Sequence, residues 1–274
     1  MKNKRTHTTL LKRISFVLFL LVLSPAITYG QWDQEKEAKK KMKSQKRNRF
    51  PSYFGLQVKP IIPIRMFGTG PETLSKDNFS ATVTPLWGYS FGGTIRIGIT
   101  KRFAIETGLN IVRRNYRTDY AVPDSNLSSQ TTLGVVSYDI PLNLLIYVQM
   151  SEKWFMNASY GVSGNFYPSN VRTDDNGYPN MFSTEGLRMS WIRAAMNANV
   201  GVELRTEKAG TFYLGASFQY PFGAIFKIAT TYKYKNINKP IYGEMNGTYV
   251  TFDIKYFLPF IKRKGPQFIP GPIG

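Results

Sequence analysis

Eight charged side chains in this 274-residue chain could carry chemistry, because they occupy the polar positions of segments in which apolar residues alternate. Carboxylates that share a site can act as general acid and base, whereas carboxylates facing basic residues form ion pairs. Four basic and four acidic residues have this placement: Lys59, Arg96, Arg193 and Lys255 with Glu106, Asp139, Glu203 and Asp253. The equal numbers predict an interior network of salt bridges, with a proton or ion path as the alternative.

Other catalytic chemistry is limited by composition. The chain has no cysteine, and its one histidine is His7, close to the N-terminus. Thiol nucleophiles and zinc–thiolate sites are therefore excluded, and triads that need histidine are excluded if this segment is removed. No GxSxG motif is present. We therefore predict a protein that is not an enzyme and that has no cofactor and no metal.

The first 30 residues have the pattern of a secretion signal. Five basic residues precede the apolar run 14–23, which is too short to span a bilayer, and Pro25 ends it. A cleavage site after Gly30 fits this pattern. The remainder has no apolar run near the roughly 18 residues of a membrane helix. We expect export from the cytoplasm.

The rest of the chain divides into three parts. Residues 31–52 form a polar arm with eight Lys or Arg and three acids between 32 and 49. Residues 53–258 are rich in aromatic and β-branched residues, and residues 259–274 form a Pro/Gly-rich tail. The arm is predicted to lie in the periplasm and to offer contacts to a protein partner through Lys39, Lys40, Lys41 and Lys43.

The middle part contains eight predicted strands, whose connections alternate between long and short. The strands are 53–64, 82–99, 103–117, 134–149, 154–168, 188–204, 211–226 and 247–258. Short turns at one end and long loops at the other are typical of antiparallel up-and-down barrels in the outer membrane of Gram-negative bacteria. We therefore predict an all-β, eight-stranded transmembrane barrel with its long loops outside the cell.

Alternation within the strands supports this prediction. Between 103 and 111 one face carries apolar residues and one threonine, and the other face carries Ala104, Glu106, Gly108 and Asn110; between 138 and 148 every second residue is apolar, and Asp139, Asn143 and Tyr147 lie between them. Aromatic residues gather near both ends of the strands, as in the interfacial girdles of membrane proteins. A secreted β-sandwich is the alternative, since periodicity alone does not distinguish inside from outside.

Charge outside the strands is one-sided. The arm, the short turns and the tail sum to +11, whereas the four long connections sum to −1. Near the outer strand ends, four arginines are candidates for contacts with lipopolysaccharide phosphates, which guanidinium groups bind in bidentate fashion: Arg113, Arg114, Arg117 and Arg188. The predicted partners are outer-membrane lipid and a periplasmic or outer-membrane protein. Nucleic acid is a poor partner for an exported chain.

The strand sequences resemble known small outer-membrane proteins. YFGLQVKP at 53–60, YDIPLNLLIY at 138–147, FAIETGLNI at 103–111 and FYLGASFQY at 212–220 carry the resemblance. They are similar to eight-stranded barrels of the OmpX and OmpA-barrel type and, more closely, to the PorT-like family. That resemblance implies a non-enzymatic barrel that serves the cell envelope or the type IX secretion pathway. A surface adhesion or barrier protein acting through its long loops is the alternative.

Overall fold

The structure, a computed structural model, describes residues 52–63, 70–175, 181–206, 208–234 and 237–259. The predicted signal segment, the four arm lysines and nearly all of the tail lie outside the described residues. Within them, thirteen strands are joined by turns and one short 3-10 turn, Pro123–Ser125. The strands are β1 Tyr53–Ile62, β2 Glu72–Lys76, β3 Phe79–Gly98, β4 Phe103–Val122, β5 Leu127–Gln149, β6 Trp154–Phe166, β7 Val171–Asp174, β8 Phe182–Arg188, β9 Ile192–Thr206, β10 Gly210–Pro221, β11 Phe226–Tyr234, β12 Ile237–Met245 and β13 Tyr249–Phe257.

Eight of these strands form a closed antiparallel ring, which we call the wall. Its order is β1-β3-β4-β5-β6-β9-β10-β13, and β13 pairs with β1 to close it. Each of the eight strands overlaps one of the eight that the sequence predicts, but several ends differ. β4 ends at Val122 rather than 117, β5 begins at Leu127 rather than 134, and β10 ends at Pro221 rather than 226, while the starts of β3 and β9 differ by three and four residues. The predicted fold is therefore confirmed.

The outer face of the wall is apolar, and its inner face is mostly polar, with one small apolar cluster of Ala104, Leu145, Tyr147 and Phe155. On β5, Leu142 and Val148 are exposed while Ser137 and Asp139 are buried. A barrel in water would show the opposite arrangement, because its interior would hold the apolar core. An apolar outer face with a polar lumen is the arrangement that hydrocarbon surroundings favour.

The long connections hold structure that the sequence prediction left as loops. β2 pairs with β3, and β7, β8, β11 and β12 form a four-stranded sheet. Three wall strands, β3, β4 and β5, extend beyond the ring. The four-stranded sheet lies beside their ends, because β7 contacts β5, and β12 contacts β2, which pairs with β3. We call these five strands, together with residues 79–86, 115–122 and 127–134, the cap. The opposite end of the wall, with the short connections, is the turn end.

The cap has an apolar core of its own. One cluster lies nearer the wall: Val83, Tyr116, Leu133, Val135, Tyr167, Ile225, Phe226, Ile228 and Met245. A second cluster lies nearer the tip: Phe79, Ala81, Tyr120, Val122, Phe182 and Ile241. The rings of Tyr120 and Phe182 stack at 4.9 Å. Burial raises the pKa of Tyr120 to about 12, and its hydroxyl lies 2.8 Å from Thr184 Oγ1.

Candidate functional site

Strand alternation places the charged side chains of the lumen. Even-numbered residues of β4 and odd-numbered residues of β9 and β13 face inward, so Glu106, Glu203 and Lys255 all enter the lumen. Arg96 of β3 lies directly opposite Glu106 in the β3–β4 register. Residues distant in sequence thus meet at one level of the barrel because each lies on the inner face of its strand.

Arg96 is the centre of this cluster. Its Nη2 lies 2.6 Å from Glu106 and its Nη1 lies 2.7 Å from Glu203. Lys255 Nζ donates to the other oxygen of Glu106 at 2.5 Å, and Arg205 pairs with the other oxygen of Glu203. We call these five residues the lumen network. Each carboxylate has two basic partners, which is what buried charges require in place of water.

Aromatic rings support the same cluster. The Arg96 guanidinium lies 4.1 Å from the Phe257 ring centre, and Lys255 Nζ lies 5.0 Å from that of Tyr213. Arg205 lies 3.9 Å from the Phe155 ring centre. Cation–π contacts and rigid rings hold the cations in place without adding charge. The lumen is therefore filled across this level, near the turn end.

A second ion pair lies higher in the lumen. Lys59 Nζ is 3.3 Å from Asp253 Oδ2. Asp253 also accepts hydrogen bonds from Asn199 at 3.0 Å and from Thr251 at 2.5 Å. The structure thus joins six of the eight predicted lumen charges in ion pairs.

The two other predicted charges have different surroundings. Asp139 is buried and accepts hydrogen bonds from the amides of Asn110 at 3.3 Å and Gln219 at 3.1 Å. Arg193 is half-buried, and no described carboxylate lies within 4.0 Å of its guanidinium. Neither of these two residues belongs to the lumen network.

Arg114 corrects one sequence prediction. It was expected at the outer surface as a lipopolysaccharide contact, but only 5% of it is exposed, inside the molecule at the base of the cap. It donates to Gly247 O and Tyr167 Oη, both at 3.0 Å, and to Ser137 Oγ at 3.3 Å. The reason is parity, because 114 shares the inner face of β4 with 106 and 110. Adjacent arginines on a strand cannot both face outward.

The other three arginines of that set lie outside the lumen. Arg113 is exposed on the outer face of β4, and Arg117 pairs with Asp119 at 3.1 Å on the same face. Arg188 donates to the carbonyl oxygens of Tyr167 and Pro168 and lies 5.0 Å from the Trp191 ring centre. Their contact with lipopolysaccharide stays a prediction.

The space left in the described part of the lumen is small. A cavity of about 30 Å³ lies between the two ion-pair levels and the cap, lined by residues that include Lys59, Asp139, Asn143 and Gln219. Such a volume holds one or two water molecules and is too small for a solute. Among the described residues, no group of three or more side chains could hold a metal ion, and no helix is long and apolar enough to span a membrane.

A family model and one solved structure agree with this geometry. A family model described as the outer membrane protein beta-barrel domain matches residues 55–227. The crystal structure of the outer membrane protein OprG from Pseudomonas aeruginosa is similar at a TM-score of 0.50 and 10% identity, covering 77% of this chain and 98% of OprG. The solid-state NMR structure of the outer membrane protein AlkL has a TM-score of 0.31 and 13% identity to this chain, and the match covers 79% of this chain and 92% of AlkL. No curated protein matches the chain.

Proposed function

The chain belongs to the outer-membrane protein β-barrel domain family, and on this premise we propose that it is a non-enzymatic envelope protein that acts through its cap. Its location is the outer membrane. In such barrels the short turns lie in the periplasm and the long connections outside the cell. The cap then stands at the cell surface, and the wall is its membrane anchor.

The folded core of the cap carries this proposal. Long loops that only connect strands need no buried apolar side chains, yet Phe226, Ile228 and Leu133 are buried in the cap. A rigid surface module is better suited to recognition or barrier formation than to transport, because the lumen network fills the interior below it. The test therefore asks whether surface binding or the permeability barrier depends on the cap.

Cap removal tests the proposal. Replacing residues 224–247 with a two-residue Asn-Gly turn removes β11 and β12 and leaves all eight wall strands. We expect the shortened protein to reach the outer membrane and to keep a heat-modifiable gel mobility, while surface binding or the permeability barrier of whole cells is lost. Deletion of 32–49 is the matched control and should leave these surface properties intact. Full surface function without the cap strands would contradict the proposal.

The turn end supports a second candidate function, the secretion accessory role that the PorT-like resemblance implies. Lys101, Arg102, Lys153 and Lys208 are exposed at the described turn end. Together with the predicted arm they would attract an acidic periplasmic partner over about 8 Å at physiological salt.

The arm lysines provide the test of this second candidate. Replacing Lys39, Lys40, Lys41 and Lys43 with Gln should weaken a pull-down of envelope proteins at low salt and cause secretion defects. The barrel should remain folded, because these residues lie outside the wall strands. Identical partner lists for the variant and the wild type, insensitive to salt, would leave the cap as the working part.

Lipopolysaccharide is the lipid partner we propose at the outer surface. Arg113 lies opposite Tyr89 in the β3–β4 register. We place this level just beyond the apolar outer face of the wall, called the apolar belt, where lipid phosphates and aromatic side chains meet. Arg113→Gln should reduce the thermal stabilisation that added lipopolysaccharide gives to the refolded protein. Arg172→Gln, which also removes an exposed cation from the cap, is the control and should not.

A further inference from the structure

The rim of the wall has a step at its turn end. β4 begins at Phe103, which pairs with Ile146 of β5. β5 continues beyond this point to Gln149, where it pairs only with β6, through Phe155. The step leaves a groove of about 950 Å³ between the β3–β4 turn and the β5–β6 hairpin. A volume of this size is typical of ligand sites.

One side of the groove is apolar and continuous with the lipid-facing belt. Phe103, Ile146 and Val148 point outward and are 39%, 48% and 53% exposed. Ile105 and Leu144 follow them along the same face toward the middle of the wall. A hydrocarbon chain lying against the belt would therefore reach the groove without crossing a polar surface.

The other side of the groove is cationic. Lys101 and Arg102 line it, are exposed, and have no carboxylate within 4.0 Å among the described residues. Glu152 of the neighbouring turn forms no ion pair with either of them. The Arg205 guanidinium lies against the ring of Phe155, which lines the groove. The chemistry that fits is an anion joined to a hydrocarbon chain.

We propose that this groove binds an anionic glycerophospholipid of the periplasmic leaflet. The headgroup phosphate lies between Lys101 and Arg102, and one acyl chain runs over Phe103, Ile146 and Val148. A guanidinium with a neighbouring ammonium suits a phosphate, which accepts several charge-assisted hydrogen bonds. A lipid fits better than an acidic protein segment, because the apolar side of the groove merges with the belt that already faces lipid.

Lipid titration of the full-length folded protein tests the site. The protein is refolded in phosphatidylcholine nanodiscs, phosphatidylglycerol is added stepwise, and retained lipid is counted by native mass spectrometry after gentle release. Lys101→Gln/Arg102→Gln should weaken retention of one phosphatidylglycerol by roughly tenfold or more, since losing even one charge-assisted hydrogen bond has about that effect and the variant removes both cations. Lys153→Gln/Lys208→Gln removes the same charge from the other two turns and should leave that retention unchanged.

Three results would overturn the proposal. Equal losses in both double variants would mean that only the general positive charge of the rim attracts the lipid. Equal retention of phosphatidylcholine and phosphatidylglycerol by the wild type would mean ordinary boundary lipid. Unchanged lipid retention in Lys101→Gln/Arg102→Gln, with loss of a bound acidic envelope protein, would assign the groove to a protein. Heat-modifiable mobility on gels verifies that each variant is folded, and none of these results depends on the function of the cap.

Discussion

The wall and the cap share strands but have opposite polarity. On the wall half of β4, Glu106 faces inward and Leu109 faces outward. On the cap half of the same strand, Tyr120 faces inward and Asp119 faces outward. The inward parity is unchanged along all twenty residues of β4. Only the kind of residue at each parity changes, and it changes around Arg114.

The difference shows how the surroundings of a strand select its residues. Against hydrocarbon, apolar side chains must face outward, and a narrow lumen must be filled by polar groups that satisfy one another. Against water, packed strands gain stability from an apolar interior. Arg114 is at the boundary, where its hydrogen bonds to Ser137 below and to Tyr167 and Gly247 above join the two interiors.

The largest effect should come from breaking the lumen network. Arg96→Met removes the basic group that both Glu106 and Glu203 bind, and leaves two buried carboxylates with fewer partners. Removing one member of a buried ion cluster costs about 3–5 kcal/mol. We expect this loss in the free energy of unfolding of the wall, measured by urea titration in micelles. Arg117→Met, which breaks the exposed pair with Asp119, is the control and should cost no more than about 1 kcal/mol.

An equal, small loss in both variants would mean that the lumen is hydrated enough to screen its ion pairs. The wall would then resemble a water-filled pore more than a packed interior, and its contrast with the cap would be weaker.

The next effect concerns the cap alone. Ile228→Ala creates a cavity in the first apolar cluster, where Ile228 is fully buried, and should cost about 2–5 kcal/mol. Because Ile228 itself lies on β11, outside the wall strands, we expect faster proteolysis of the cap with unchanged heat-modifiable mobility. Lys233→Ala, an exposed position on the same strand, should change neither. Loss of the gel shift in Ile228→Ala would show that the two regions fold as one unit.

The wall could be predicted from the sequence more fully than the cap. Strands that cross a membrane carry long, strict alternation, and β4 and β5 show it over most of their length. Cap strands are short and are broken by Gly, Pro and charged residues, as in β7, which has four residues. β11 nevertheless alternates Phe226, Ile228, Thr230 and Tyr232 with outward Lys227 and Lys233. Its periodicity was a usable signal within a segment interpreted as a loop.

The site was partly predictable for a similar reason. Parity predicted the inward position of six of the seven residues in the lumen ion pairs, although it could not say which charges meet. The partner of each depends on the ring order and on strand tilt. Parity also contained the correction, because Arg114 has the inner parity of β4 and Arg205 the inner parity of β9. The prediction ended both strands near these residues, so they were not counted as lumen charges.

A smaller effect tests the polarity of the outer faces on one strand. Ile140 of β5 is exposed on the wall, and Ile140→Arg should cost about 2–4 kcal/mol in lipid because it places a charge in hydrocarbon. Thr132→Arg lies on the same face of the same strand but in the cap, so it should be nearly neutral. Asn143→Arg points inward instead and should disturb the contact with Asn197. Unfolding in vesicles measures all three, and similar losses at 140 and 132 would contradict the assigned membrane boundary.

The smallest effect is a pH dependence at the seam between β2 and β12. Burial, together with the charge of Glu244, raises the pKa of Glu72 above its usual value, against the opposing effect of a hydrogen bond from the Glu244 backbone. A raised pKa in the folded state means that stability is fully present below the unfolded pKa and is lost as the pH rises through the folded pKa. Glu72→Gln should therefore stabilise the cap at neutral pH, within about 0.5 kcal/mol because the site is largely exposed, and the gain should vanish near pH 4. Hydrogen exchange of cap amides from pH 4 to 8, corrected for intrinsic rates, measures this, with wall amides as the internal control. A gain that grows toward low pH would mean that the Glu72 carboxylate stabilises the seam in its charged form.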